Sequence, residues 1–274
     1  MFKRGFNMVD LVMAEEHSRN TKSQGSKSRS GKGSRRKGIL LHFLGTLLIP
    51  LAAALLLAGV LIVFRGVRSP GRSYDASAFG ISTVKSSVDF DHDGTDDYAD
   101  FLLGAQKDAK NHPRYDSRYL KSGWPPDNIG VCADVVWRSF REAGYDLRAM
   151  VDKDIADRRS VYTTITSPDS SIDFRRVRNL KVFFEKYAQS LTLDKTCIAQ
   201  WQPGDIVIFG DNRHVGIVSD KRNAEGVCWI IHNGGQKQRD EDYLSRTSME
   251  ITGHYRFDAS RVPADMLIQW KGAK

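Results

Sequence analysis

The stretch Gln202-Pro-Gly-Asp-Ile-Val-Ile-Phe209, followed after a short loop by His214-Val-Gly-Ile-Val218, decides the fold. Both halves are rich in β-branched and apolar residues, and the turn-forming residues 210–213 separate them, which predicts a β-hairpin. A third strand, Val227-Cys-Trp-Ile-Ile-His232, follows a polar turn. Neighbouring antiparallel strands run in opposite directions. His214 at the start of one strand and His232 at the end of the next are therefore predicted to lie side by side.

A helix that precedes the sheet carries the first candidate catalytic residue, Cys132. It follows a Pro-Pro-Asp-Asn loop signal and ends before Gly144, and between them apolar residues recur at helical spacing, at Val135, Val136, Phe140 and Ala143. Cys132 is thus predicted at a helix N-terminus, where free amide N–H groups lower the pKa of a thiol and can hold an oxyanion. The alternative is that Cys132 is a small buried apolar residue, and that Asp134 only complements the helix dipole.

Further apolar spacing predicts a second amphipathic helix over Asp173–Leu191, with its apolar face formed by Phe174, Val177, Leu180, Phe183, Phe184 and Tyr187. Together these elements predict an α+β domain, in which helices pack on an antiparallel sheet built from about residue 203 onward.

The net charge of +8 comes from the N-terminal region. Residues 1–65 hold 11 basic and 3 acidic residues, whereas residues 66–274 hold 30 of each. A nucleic-acid-binding body needs a basic face, so the electrically balanced remainder argues against nucleic acid as a partner.

The N-terminal region divides into a polar tail and an apolar stretch. Residues 1–38 are predicted to be a disordered basic tail, and residues 39–64 contain enough apolar residues for one transmembrane helix. A cleaved signal peptide is the alternative, although the apolar run is longer than such peptides use. Ten Lys and Arg residues precede the stretch, so the positive-inside rule predicts a cytoplasmic N-terminus and an extracytoplasmic C-terminal domain. Residues 65–88 would be a linker.

Residues 89–100 form an acidic loop with six Asp residues. Its oxygen donors follow the spacing of loops that wrap Ca²⁺, with Gly94 at the sharp turn, and they give the predicted ligands Asp89, Asp91, Asp93, Thr95, Asp97 and Asp100. The loop resembles EF-hand and dockerin calcium loops, and bound Ca²⁺ would be structural. The alternative is a solvated acidic turn whose last carboxylates complement a helix N-terminus.

Two further cysteines, Cys197 and Cys228, leave two possibilities open. Exported domains often contain disulfides, so these two can form one bridge and leave Cys132 as the free thiol. The alternative is three separate thiols. The sequence assigns no role to His254.

Six ordered motifs between about residues 101 and 257 resemble the DUF1287 family. They are Gly130–Val136, Phe174–Leu180, Gln202–Asp205, His214–Asp220, Ile231–Gly235 and Ile251–Arg256. That family is similar to the NlpC/P60-like cysteine peptidases, so the resemblance implies a papain-like fold for residues 101–274. It also implies Cys132 as nucleophile, His214 as base and His232 as the residue that orients the base, with Asn233 as the alternative third member.

The resemblance implies cleavage of amide bonds in the cell envelope, with peptidoglycan stem peptides as the expected substrate and no cofactor required for catalysis. Two other functions stay open. One is a non-catalytic wall-binding module stabilised by Ca²⁺, and the other is an acyl transferase that uses the same Cys–His pair.

Overall fold

A computed structural model describes residues 71–121 and 123–272. They form an α+β domain with five α-helices: α1 Asp97–Asn111, α2 Cys132–Glu142, α3 Leu147–Asp157, α4 Val177–Tyr187 and α5 Tyr243–Arg246. The predicted tail and the predicted membrane span at 39–64 lie outside the described residues. Within the described part of the chain, every helix is too short or too polar to cross a bilayer.

The strands form one large sheet and one small one. The strands are β1 Arg114–Tyr115, β2 Ile129–Gly130, β3 Gln189–Ser190, β4 Ile206–Phe209, β5 His214–Arg222, β6 Cys228–Ile231, β7 Asp240–Glu241 and β8 Ile251–Arg256. Six of them are joined in the order β3-β8-β4-β5-β6-β7, all antiparallel, while β1 and β2 pair in parallel.

The predicted hairpin is present as β4 and β5, with Phe209 opposite His214. The third predicted strand is present as β6, whose Ile231 lies opposite Ile217 of β5. His232 follows the last residue of β6 directly. The helix predicted over Asp173–Leu191 is shorter in the structure, because a 3-10 turn occupies Asp173–Arg175 before α4 begins.

Strand β4 is buried on both of its faces. Ile206 and Ile208 contact the cluster beneath the helices, and Val207 and Phe209 contact a second cluster around Trp201 on the opposite face. Alternate side chains of a strand point to opposite faces. A strand that is buried on both faces needs apolar residues at every position, which explains the sequence Ile-Val-Ile-Phe of β4.

Two glycines allow the close packing that positions the helices and the candidate site. A Cβ on Gly104 of α1 would lie 2.7 Å from the Ser139 Cα of α2, so the two helices approach at backbone contact there. A Cβ on Gly216 of β5 would lie 2.5 Å from Ile230 Cγ2 and 3.2 Å from His232 Cβ. Glycine at position 216 thus leaves room for the end of β6 and for His232.

Candidate active site

Cys132 is the first residue of α2, as predicted, and the extended backbone of Val131 caps the helix. Its side chain is buried and belongs to the main core cluster, which also includes Val215 and Ile217 of β5. The helix therefore presents its N-terminus, with the thiol, toward the start of the strand that begins with His214.

The pKa of Cys132 differs in direction from the prediction. Burial raises the pKa of this thiol to about 11, although the backbone N–H groups of Val215 and Ala133 lower it. The predicted lowering is therefore wrong for the resting site, because loss of water around the sulfur outweighs the amides at the helix N-terminus. The Val215 N–H belongs to the residue after His214, so the thiol lies beside the beginning of β5.

Asp134 fixes the N-terminus of α2 from within the core. Its carboxylate accepts the Val131 N–H at 2.7 Å and the Trp137 indole N–H at 2.8 Å. Arg175 donates to both carboxylate oxygens at 2.8 Å, and both side chains are buried. Asp134 therefore does more than complement the helix dipole, because its four hydrogen bonds tie the Cys132 turn to the segment before α4.

The structure brings His214 and His232 together. His214 Nε2 lies 2.8 Å from His232 Nδ1, and the rings are nearly perpendicular. Asn233, the alternative third member, is directed elsewhere: its amide donates to the carbonyl oxygens of Pro113 and Gly130 at 3.2 and 3.1 Å. His232 is therefore the partner of His214.

Both imidazoles are neutral at pH 7. Burial lowers the pKa of His214 to about 4. Burial, the neighbouring His214 and the positive charge of Arg239 lower the pKa of His232 to about 3. A buried neutral imidazole can accept a proton from a neighbouring thiol only if the resulting charge is stabilised nearby.

Several residues near the histidine pair were not singled out from the sequence. Glu241 Oε1 lies 3.2 Å from His232 Nε2, and the Tyr243 ring lies 4.3 Å from the His232 ring, centre to centre. The Gln236 amide donates to the His232 carbonyl oxygen at 3.0 Å. No sequence signal marks Glu241, because β7 has only two residues and the position of Glu241 arises from the pairing of β7 with β6.

A cleft of about 310 Å³ opens beside Val131, the residue that precedes the candidate nucleophile. Its other lining residues are Ser117, Tyr119, Ile172, Arg175 and Arg176. The cleft supplies space and polar groups next to the N-terminus of α2.

His254 belongs to a separate cluster that supports the sheet. Its Nε2 lies 3.0 Å from Asp205 Oδ2 and its ring stacks on Trp201, with centres 3.8 Å apart. Arg256 donates to both oxygens of Asp205 at 2.7 Å. These contacts join the motif Gln202–Asp205, which precedes β4, to the motif Ile251–Arg256, which forms β8. His254 is therefore a structural residue of the sheet.

All three cysteines are free thiols, and no disulfide joins Cys197 to Cys228. Of the two possibilities that the sequence left open, the structure has three separate thiols. Cys228 is buried, and its sulfur lies 3.6 Å from the Trp201 carbonyl oxygen.

The acidic loop gathers three of its six predicted ligands. One carboxylate oxygen from each of Asp89, Asp91 and Asp93 lies within 4.8 Å of the others, a spacing compatible with one Ca²⁺. Asp97 is directed into the core, where it accepts hydrogen bonds from Tyr145 Oη at 2.6 Å and from the Phe90 N–H at 3.0 Å. The donor set therefore fits the predicted ion in part.

Asp100 is buried in the first turn of α1 and is not among the three gathered ligands. The Thr95 N–H donates to Asp93 Oδ1 at 2.9 Å, which holds the loop closed around the three carboxylates.

Comparison with known proteins places the chain in a family. Residues 102–257, more than half of the chain, match the model of a domain of unknown function, DUF1287. The chain belongs to the DUF1287 family. The uncharacterized protein YijF of Escherichia coli (strain K12) is 35% identical to this chain over 164 residues, which is 56% of this chain and 78% of YijF. No solved structure matches the chain.

Proposed function

We propose that this DUF1287 protein is a membrane-anchored, extracytoplasmic cysteine hydrolase that cleaves amide bonds in peptidoglycan stem peptides. The proposal includes a papain-like, NlpC/P60-like architecture for the domain. The observation that carries it is the thiol at the N-terminus of α2, next to a strand whose first residue, His214, is paired with His232 at 2.8 Å. Nucleophile, base and orienting group in that order form the arrangement that acyl transfer requires.

The chemistry follows from these groups. As the Cys132 sulfur attacks the amide carbonyl carbon, His214 takes the thiol proton and a carbon–sulfur bond forms. The carbon–nitrogen bond then breaks, and His214 returns the proton to the departing amine. Water then attacks the carbonyl carbon of the acyl-enzyme and gives a proton to His214. The carbon–sulfur bond breaks, the free acid leaves, and His214 returns the proton to the Cys132 sulfur.

The raised pKa of Cys132 and the lowered pKa of His214 bear on when the proton moves in this reaction. The resting pair is a neutral thiol and a neutral imidazole, so the proton moves to His214 during the attack rather than before it. In that version His214 acts as a general base in the transition state.

The proposed location of the domain and its proposed substrate are supported by different observations. The apolar stretch at 39–64 and the basic residues before it are the support for a tethered, extracytoplasmic domain. Peptidoglycan is proposed by analogy with NlpC/P60-like peptidases, and a shared fold by itself does not determine a substrate.

The test is release of soluble muropeptides from purified sacculi by the domain and by Cys132→Ser. Serine keeps the size of the side chain but is a far poorer nucleophile, so release should stop. Cys197→Ser is the matched control, because it removes a thiol that is outside the site, and it should retain activity. Equal release by wild-type protein and Cys132→Ser contradicts the proposal.

Two alternatives are distinguished by products and binding. An acyl transferase would use the same residues, but an added amine would replace water and appear in the product. The buried thiol with its raised pKa favours, as a second candidate, a non-catalytic wall-binding module stabilised by Ca²⁺. Such a module would bind sacculi equally well as wild type and as Cys132→Ser, and neither protein would release muropeptides.

A further inference from the structure

Glu241 lies next to the histidine pair, on strand β7 at the edge of the sheet. Strand β7 pairs with β6, with Glu241 opposite Ile230, and the backbone N–H of His232 donates to the Arg239 carbonyl oxygen at 2.9 Å. This pairing brings Glu241 Oε1 within 3.2 Å of His232 Nε2. The other oxygen of Glu241 is held by Arg246, whose Nη2 lies 2.5 Å from Oε2. The carboxylate is thus fixed from both sides.

The carboxylate of Glu241 beside His232 Nε2 indicates where the ring protons are. An ionised carboxylate only accepts, so His232 Nε2 carries the proton that points to Glu241. In a neutral imidazole the other nitrogen is then a bare acceptor, and His232 Nδ1 must receive its hydrogen bond from His214 Nε2 at 2.8 Å. His214 Nε2 therefore carries its proton, and His214 Nδ1 has a free lone pair.

Gln236 also faces His232: its amide nitrogen lies 3.2 Å from both Nδ1 and Nε2, and with Nε2 protonated it can donate only to Nδ1. Among the described residues, no group makes a hydrogen bond to His214 Nδ1, so the lone pair is available to a thiol or a substrate. Both rings are neutral because burial lowers their pKa values, and the charge of Arg239 lowers that of His232 further. Burial raises the pKa of Glu241, as does Asp242, whereas Arg246 lowers it and favours the ionised carboxylate.

We propose that Glu241 is a positioning residue that fixes the tautomer of His232 and, through it, that of His214, so that His214 Nδ1 is the site that accepts the thiol proton. The assignment of a reaction to that nitrogen rests on the proposed function, whereas the tautomer chain does not. When His214 takes the proton, it becomes an imidazolium, and Glu241 supplies the negative charge at the other end of the chain.

The experiment measures the tautomers directly. The full-length protein is labelled with ¹⁵N at histidine, and two-bond ¹H–¹⁵N correlation spectra at pH 7 show which nitrogen of each ring is protonated. Wild-type protein should show His214 and His232 both protonated at Nε2. In Glu241→Ala, His232 should lose this preference and His214 should follow, whereas Glu241→Gln should retain it, because the amide oxygen can still accept from Nε2. Glu250→Ala, at an exposed residue, is the control and should match wild type.

Activity on sacculi provides the second measurement. Glu241→Ala should lower kcat/KM at least about 10-fold, since the wrong tautomer of a catalytic histidine costs up to about 10⁴-fold in triad enzymes. Glu241→Gln should lie between Glu241→Ala and wild type, because it restores the tautomer without the charge.

Two results overturn the role of Glu241: a wild-type His232 protonated at Nδ1, or unchanged tautomers in Glu241→Ala. The first needs no variant, so it decides the matter even if Glu241→Ala fails to fold. A wild-type protein with the expected tautomers and no hydrolysis overturns the proposed function instead, and leaves the positioning role supported.

Discussion

Arg175 donates two hydrogen bonds of 2.8 Å to Asp134, and both side chains are buried beneath the turn that carries Cys132. The pair joins the N-terminus of α2 to the 3-10 turn before α4, which is 41 residues away in sequence. A bidentate contact between guanidinium and carboxylate restricts both distance and orientation. The position of the thiol therefore depends on a residue that is far from it along the chain.

Breaking this pair should destabilise the domain strongly. Arg175→Leu leaves the Asp134 carboxylate buried without its cation, and removing one partner of a buried pair costs about 3–5 kcal/mol. Urea denaturation at pH 7 measures the free energy of unfolding. Arg176→Ala, at the exposed neighbouring position, is the matched control and should change it by less than about 0.5 kcal/mol. A similarly small loss for Arg175→Leu would show that the pair does not hold the helix.

The Cys132 thiol should react slowly at neutral pH. Because burial raises its pKa to about 11, the rate of alkylation by iodoacetamide should keep rising between pH 7 and pH 10. The measurement uses a Cys197→Ser/Cys228→Ser background, so that Cys132 is the thiol observed, and the same background with Cys132→Ser is the blank. A rate that is already at its maximum at pH 7 would indicate a preformed thiolate and would contradict the buried neutral pair.

The histidine pair should make the domain sensitive to acid. His214 has an ordinary pKa of 6.5 when unfolded and about 4 when folded, so between these values the unfolded state binds more protons and stability falls as the pH is lowered. The shift corresponds to a loss of up to about 3 kcal/mol from His214 alone, complete by about pH 4 and absent above pH 6.5. His232, whose pKa is about 3 in the folded protein, acts in the same direction.

Urea denaturation between pH 7 and pH 4.5 measures this dependence. His214→Gln removes one titrating ring, so its unfolding free energy should change less over this range than that of wild type. Equal slopes for the two proteins would exclude His214 as a source of the acid sensitivity.

Ca²⁺ binding by residues 89–100 stays a prediction, now centred on Asp89, Asp91 and Asp93. A ligand that binds only the folded state stabilises it by about 2.7 kcal/mol at 100 times its Kd, so added Ca²⁺ should raise the Tm relative to EDTA. Asp91→Asn should weaken this shift, and Asp265→Asn, at an exposed carboxylate elsewhere, should not. Equal Tm values in Ca²⁺ and EDTA would contradict the prediction.

Local patterns in the sequence were sufficient for much of the framework. The β-branched runs and turn residues of the hairpin, and the helical spacing after Cys132, predicted β4, β6 and α2 close to their observed bounds. Strand β5 begins at His214 as predicted and continues four residues beyond the predicted end at Val218. These elements are determined by neighbouring residues, since strand and helix periods are properties of a few turns or pleats of the chain. The same patterns placed Cys132, His214 and His232 at element ends, where side chains can meet.

What the tertiary structure alone decided was the chemistry of those side chains. The choice of His232 over Asn233, the contact with Glu241 and the buried pair of Asp134 with Arg175 all depend on elements that are distant in sequence. The pKa of Cys132 rises rather than falls because the core excludes water from its sulfur. The sequence by itself determined which reactive groups are present and on which elements, whereas packing determined their charge and their partners, because desolvation arises only when the whole chain folds around them.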